Sequence, residues 1–119
     1  MAKILIVDDV LIMRNILRVM LENVGHEIIG NAENGQQAVE MFEQLKPDLV
    51  TLDIQMEGGD GMTTLGKIMQ RYPEARVLMV TAIDQNEVVE EAIRMGAKGY
   101  VTKPFQAEDV LQQTQKALA

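Results

Sequence analysis

The chain has 119 residues, a net charge of −7, no cysteine, and 47% hydrophobic against 24% charged residues. A chain of this length buries roughly two thirds of its unfolded surface, so one core is expected without a disulfide or structural metal. The acidic balance argues against nucleic acid, which calls for clustered Lys and Arg, and the lack of cysteine excludes thiolate catalysis and sulfur-ligated metals.

MAKILIVDD is neither a signal peptide nor a membrane span. The expectation is a single cytoplasmic domain over residues 1–119, with no second domain and no membrane partner. Along the chain, short β-branched runs alternate with helical periodicity. Lys3 to Val7 reads as the first strand. A helix fits Leu11 to Val24, with Leu17, Met20, Leu21 and Val24 on one stripe and Gly25 as its stop. His26 to Ala32 is the second strand. A helix follows Asn34-Gly35, with Ala38, Val39, Phe42 and Leu45 facing inward, and Pro47 ends it. Leu49 to Asp53 is the third strand. Asp60 can cap a helix from Met62 to Arg71, closed by Pro73. Arg76 to Thr81 is the fourth strand. Asp84 and Glu87 have the spacing of a capping box for a helix ending near Met95, with Gly96 after it. In that helix Val88, Ala92 and Met95 fit the buried stripe and Val89 lies off it. Gly99 to Thr102 is the fifth strand, and Ala107 to Leu118 the last helix.

Five rounds of strand then helix imply an α/β, doubly wound (βα)5 flavodoxin-like fold, a parallel sheet covered by helices on both faces. Ligand chemistry in such sheets sits at the carboxyl ends of the strands. Those ends carry Asp8-Asp9, Asp53, Thr81 and Thr102-Lys103-Pro104. Under a strand order 2-1-3-4-5, Asp8, Asp9 and Asp53 share one crevice flanked by Thr81 and Lys103.

Each group alone has an ordinary explanation, because acids at strand ends often cap helices or turns. Five of them on one edge are harder to explain that way. At about 4 Å, each pair of carboxylates repels by about 4 kcal/mol at an effective dielectric near 20. A cation relieves that, and an oxygen-only ligand set favours a hard ion, Mg²⁺ over Ca²⁺ where room is left for water, with Mn²⁺ as a substitute. Mg²⁺ with a lysine is a common means of neutralising a transferring phosphoryl group. One carboxylate can then hold the phosphoryl as an aspartyl phosphate.

ILIVDD, LVTLD, VTA and GYVTKPF, in order over the whole chain, resemble the receiver domain of two-component response regulators. Through DDVLIMRNIL, AENGQQAVE and GYVTKPF the chain is most similar to stand-alone chemotaxis regulators of the CheY type. The resemblance implies that Asp53 is the phosphoacceptor, and that Asp9 and Asp8 hold the metal with the Gln55 backbone carbonyl. It implies that Lys103 pairs with phosphoryl oxygens, that the Thr81 hydroxyl moves toward them, and that Tyr100 turns inward as Thr81 vacates its place. The Lys103–Pro104 bond is cis in that family. The implied partners are a histidine kinase, an effector such as a flagellar motor switch component, and a phosphatase where hydrolysis is assisted. A monomer is expected, signalling through a patch of Val89, Tyr100 and Thr102 on helix four and strand five, next to helix five. It is a switch rather than an enzyme, since it catalyses only its own phosphorylation and dephosphorylation.

Gln55 and Ile83, two residues past Asp53 and Thr81, would overlook the phosphoryl group, and an apolar Ile83 points to slow self-hydrolysis. His26, the only histidine, is expected on the surface at the far end of the sheet, so the donor histidine belongs to a partner. The nine methionines read as core filler, with Met13 and Met56 placed near the acidic pocket. Where the family has D-x-x-M-P, this chain has Glu57 and then Gly58-Gly59. A fixed φ gives way to a freer loop, expected to be more mobile, and Glu57 is expected to alter metal affinity or reach the cation. Three other readings stand beside this one. A phosphorelay intermediate shares every residue. A Mg²⁺-dependent aspartyl-phosphate phosphohydrolase of the haloacid dehalogenase type wants D-x-D, and here Gln55 stands two past Asp53. An FMN binder of the flavodoxin type wants a phosphate loop where Asp8-Asp9 stands.

Overall fold

The computed structural model describes residues 1–57 and 59–119. Five strands, β1 (Lys3–Val7), β2 (Glu27–Ala32), β3 (Leu49–Leu52), β4 (Val77–Thr81) and β5 (Gly99–Thr102), form one parallel sheet in the order β2-β1-β3-β4-β5. Five helices connect and cover it: α1 (Leu11–Asn23), α2 (Gly35–Leu45), α3 (Gly61–Arg71), α4 (Asn86–Arg94) and α5 (Ala107–Leu118). Every residue of β3 and β4 is buried, which is why those strands are apolar but for Thr51 and Thr81 rather than alternating. The side chains divide between two cores. On one face Leu5, Val7, Val50, Leu52 and Met79 pack with Phe42 of α2, Leu65 and Ile68 of α3 and Ala92 of α4. On the other, Ile4, Ile6, Leu49, Leu78 and Val80 pack with Leu17 and Leu21 of α1 and Val110 of α5.

The sheet has the order that was assumed in bringing the acids together, and the two-faced helix cover is the one expected from the alternation of runs. Several details differ. Val24 and Leu45 are exposed rather than on the buried stripe. Each lies where its helix ends, so the periodicity runs on past the backbone that would turn it inward. Lys46 follows Leu45 with a left-handed φ of 47°, and Gly25 follows Val24 with φ 96°, the conformation that ends helices without strain when the residue is glycine. Asp84 does not cap α4. Gln85 is the N-cap and makes no side-chain bond. The capping box is instead on α5, where the Gln106 side chain accepts from the Asp109 N–H and the Asp109 carboxylate accepts from the Gln106 N–H. Asp60 does cap α3, accepting from the Met62 N–H at 2.8 Å. His26 is half-buried, not a free surface residue: its Nδ1 accepts from the Ala2 N–H at 3.1 Å.

A two-residue ladder was not expected. Gln55–Met56 pairs antiparallel with Gly59–Asp60, directly after β3. The expected loosening at Glu57-Gly58-Gly59 turns on Gly58, which lies outside the described residues. No helix among the described residues is long and apolar enough to cross a membrane.

Candidate functional site

The sheet ladders run one residue beyond the strands and fix the backbone of the edge. Asp8 N–H donates to the Ala32 carbonyl at 3.0 Å, Asp53 N–H to the Val7 carbonyl at 3.1 Å, and Lys103 N–H to the Thr81 carbonyl at 2.8 Å. Three strand ends are thereby locked side by side, and their next side chains meet. Asp8, Asp9 and Asp53 each present a carboxylate oxygen, all within 4.8 Å of one another. Asp8 and Asp53 are 1% and 5% exposed, whereas Asp9 is half-buried.

Carboxylates so placed require compensation. Lys103 supplies part of it. Its Nζ donates to Asp8 Oδ2 at 2.7 Å and to Asp53 Oδ2 at 3.0 Å. Burial alone would lower the Lys103 pKa. The hydrogen bonds to Asp8 and Asp53, with the charges of both, outweigh burial and raise it above the ordinary lysine value. The Lys103–Pro104 peptide bond is cis. Backbone N–H groups add to it without cancelling charge: Val10 N–H donates to Asp8 Oδ1 at 2.9 Å, Gln55 N–H to Asp53 Oδ1 at 3.2 Å, and Glu57 N–H to Asp9 Oδ2 at 3.1 Å. The donor set is all oxygen, close-set and more negative than one lysine can neutralise, which fits a hard divalent cation. Asp8, Asp9 and Asp53 would hold it. The Glu57 carboxylate is not in that group. The cleft beside it is lined by Asp9, Ile54, Gln55, Met56, Glu57 and Asp60.

Met56 therefore borders the acidic cleft, as expected, while Met13 packs into the core under α1 and α5. Thr81 is fully buried, and its Oγ1 accepts from the Ile83 N–H at 3.3 Å. Tyr100 donates its hydroxyl to the Ile83 carbonyl at 2.6 Å. Burial, and then the charges of Asp53 and Asp84, raise the Tyr100 pKa above its usual 10.0. Tyr100 and Thr102 line a shallow cavity of about 260 Å³ with Asp109, Gln112 and Gln113 of α5. Val89 is half-buried on α4 and is not among its lining residues.

One residue at this edge escaped the reading of the sequence. Arg14 is buried, and its Nη1 donates to the Asp8 carbonyl at 2.7 Å. Its Nη2 reaches Glu33 at 3.4 Å. The signal was its spacing: Arg14, Leu17 and Leu21 are the buried residues of α1, so a cation occupies a position of the apolar stripe.

Fold and site together define a doubly wound α/β protein with an acid-and-lysine cluster where the strand order reverses. Residues 4–115 match the family described as "Response regulator receiver domain", and the chain belongs to that family. Chemotaxis protein CheY of Listeria monocytogenes is 44% identical over 117 residues, covering 98% of either chain. Chemotaxis protein CheY of Bacillus subtilis is 46% identical over 116 residues, covering 98% of this chain and 97% of the relative. Among solved structures, a CheX-CheY-BeF3-Mg²⁺ complex from Borrelia burgdorferi is similar with a TM-score of 0.96 at 34% identity, over 98% of this chain and 89% of the other. The response regulator domain of Thermotoga maritima CheB is similar at 0.90 and 31%, over 98% and 95%.

Proposed function

We propose that the protein accepts a phosphoryl group on Asp53 from a partner histidine kinase, with Mg²⁺ held by Asp8, Asp9, Asp53 and the Gln55 carbonyl, and signals in chemotaxis. The observation that carries this reading is the Asp53 carboxylate, rigidly held at the end of β3, with the Lys103 ammonium 3.0 Å away and two further carboxylates beside it. An Asp53 oxygen attacks phosphorus. A phosphorus–oxygen bond forms as the phosphorus–nitrogen bond to the donor histidine breaks, and the imidazole leaves with its electron pair. Lys103 then exchanges a carboxylate partner for a phosphoryl oxygen. A bound Mg²⁺ neutralises charge on the transferring group. Reset is by water attack on the acyl phosphate, which Ile83 slows by shielding it.

Thr81 and Tyr100 transmit the event. Thr81 holds the N–H of Ile83 and Tyr100 holds its carbonyl. When the Thr81 hydroxyl swings to the phosphoryl group it releases one of these bonds, and the β4–α4 connection shifts with Tyr100. The reading surface is Val89, Tyr100 and Thr102, offered to an effector such as a flagellar motor switch component. The relatives named as chemotaxis proteins support that pathway. Incubation with acetyl phosphate and Mg²⁺, followed by intact mass, tests the site. One phosphoryl is expected on the parent and none on Asp53→Ala or in EDTA. Labelling that persists in Asp53→Ala refutes the assignment.

A further inference from the structure

The feature left over from the sequence is Glu57, which stands where relatives of the pattern D-x-x-M-P have proline. Its side chain is exposed, and its carboxylate lies outside the close group of three. Its backbone does what proline cannot. The Glu57 N–H donates to Asp9 Oδ2 at 3.1 Å, and proline has no N–H.

The ladder after β3 explains why this N–H is aimed at the acids. The Ile54 carbonyl accepts from the Gly61 N–H at 2.8 Å. The Gln55 N–H, at the other side of the same peptide unit, points away from that contact and meets Asp53 Oδ1 at 3.2 Å. Two residues on in extended chain, an N–H points to the same side again. That next N–H is Glu57's. The outer edge of Gln55–Met56 thus offers two amides in series to two of the three carboxylates. Asp8 has Lys103 and the Val10 N–H, and Asp53 has Lys103 and the Gln55 N–H. For Asp9, Glu57 supplies the one side-chain hydrogen bond among the described residues.

From this we infer that the Glu57 backbone N–H is the positioning group for Asp9, orienting the carboxylate proposed to ligate Mg²⁺. The inference rests on the function proposed above. A carboxylate has about four lone-pair directions. One is taken by the amide, which leaves the others for a cation. A charge-assisted bond of this kind fixes the carboxylate without neutralising it, and losing a partner that orients a metal ligand typically costs about 10–100-fold in metal affinity. The functional content of position 57 is then its N–H and not its acidic side chain.

Calorimetric titration of the full chain with MgCl2 separates the two. Glu57→Ala and Glu57→Gln keep the N–H and lose the charge, and are expected to shift the affinity by less than about fivefold, the range of one screened surface charge. Glu57→Pro loses the N–H and is expected to weaken Mg²⁺ binding about tenfold or more. Amide hydrogen exchange gives an independent reading with no proline introduced at position 57. The Glu57 N–H should exchange slowly in the parent and faster in Asp9→Ala. Equal Mg²⁺ affinity in Glu57→Pro and the parent, or equal Glu57 exchange in Asp9→Ala and the parent, overturns the inference alone. A parent that binds no Mg²⁺ overturns the functional reading and the inference with it.

Discussion

Lys103 Nζ lies 3.0 Å from Asp53 Oδ2 and also 2.7 Å from Asp8 Oδ2, one ammonium serving two buried carboxylates. Removing it leaves both acids buried without a counter-charge. Lys103→Met should therefore lower the metal-free stability by about 3 kcal/mol, the low end for breaking a buried pair from one side. MgCl2 should restore part of the loss. Urea unfolding with and without Mg²⁺ reads this directly, and a variant as stable as the parent in EDTA would contradict it. The raised Lys103 pKa sets the pH window. Its contribution is complete below the usual lysine value of 10.5 and is lost only as pH rises through the higher folded value.

Asp9 makes no bond to Lys103 among the described contacts, and has the Glu57 N–H alone. It is the least compensated of the three acids. Asp9→Asn keeps an acceptor for that N–H and removes one charge from the cluster. The metal-free protein should gain about 1 kcal/mol of stability, the repulsion being discounted for partial exposure. Mg²⁺ affinity should fall in the same variant. A thermal melt in EDTA beside a Mg²⁺ titration checks both, and a loss of stability in EDTA would refute the account of repulsion.

Gly61 begins α3, and a Cβ on it would run into the Asp53 carbonyl and the Ile54 Cα. The close approach is what lets the Gly61 N–H reach Ile54 and the ladder fold back past the acids. Gly61→Ala must displace the backbone that carries Asp53. About 2 kcal/mol of stability should be lost, together with most of the acetyl phosphate labelling. Normal labelling in the variant would show that Asp53 tolerates the shift.

His26 Nδ1 accepts from the Ala2 N–H, which only a neutral imidazole can do. Burial, and then the positive N-terminus, lower its pKa from the usual 6.5. A lowered folded value means that the unfolded chain binds the proton more tightly. The contribution is present above pH 6.5 and is lost as pH falls through the folded value. The melting temperature of the parent should drop relative to His26→Gln over that interval. Parallel curves for the two proteins would remove His26 as the cause.

How much of this was legible in the sequence depended on how locally each feature is determined. The strands are runs such as LVTL and VLMVT, buried on both faces, and the acids that end them announce the edge. Parallel pairing follows from the helical crossovers, whereas the strand order is a long-range property that the runs leave open and the structure supplies. The misses lie where local rules compete. Asp84 has the better cap chemistry, yet the backbone puts Gln85 at the N-cap of α4. Gln106 is a poor cap by preference and forms the capping box of α5. At Glu57 the sequence points to a freer φ and an added charge, while the contact to Asp9 is through the backbone N–H, which residue identity shows only when the alternative is proline.

Ile83 is held from two directions, by Thr81 Oγ1 at its N–H and by the Tyr100 hydroxyl at its carbonyl. Under the function proposed here these bonds join the phosphorylation site to the β5 surface. Tyr100→Phe removes one of them and leaves Asp53, Asp8, Asp9 and Lys103 untouched. The ring still packs against the core, so the stability change should be about 1 kcal/mol, one hydrogen bond. Labelling by acetyl phosphate should proceed at the parental rate. What should change is transmission. In the parent, phosphorylation is expected to alter amide exchange at both Ile83 and Tyr100. In Tyr100→Phe the change should remain at Ile83, next to Thr81, and fade at residues 100–102. If exchange at 100–102 responds equally in both proteins, the Tyr100 hydroxyl is not the link, and the signal must pass through the β4–β5 ladder, where Thr81 pairs with Thr102.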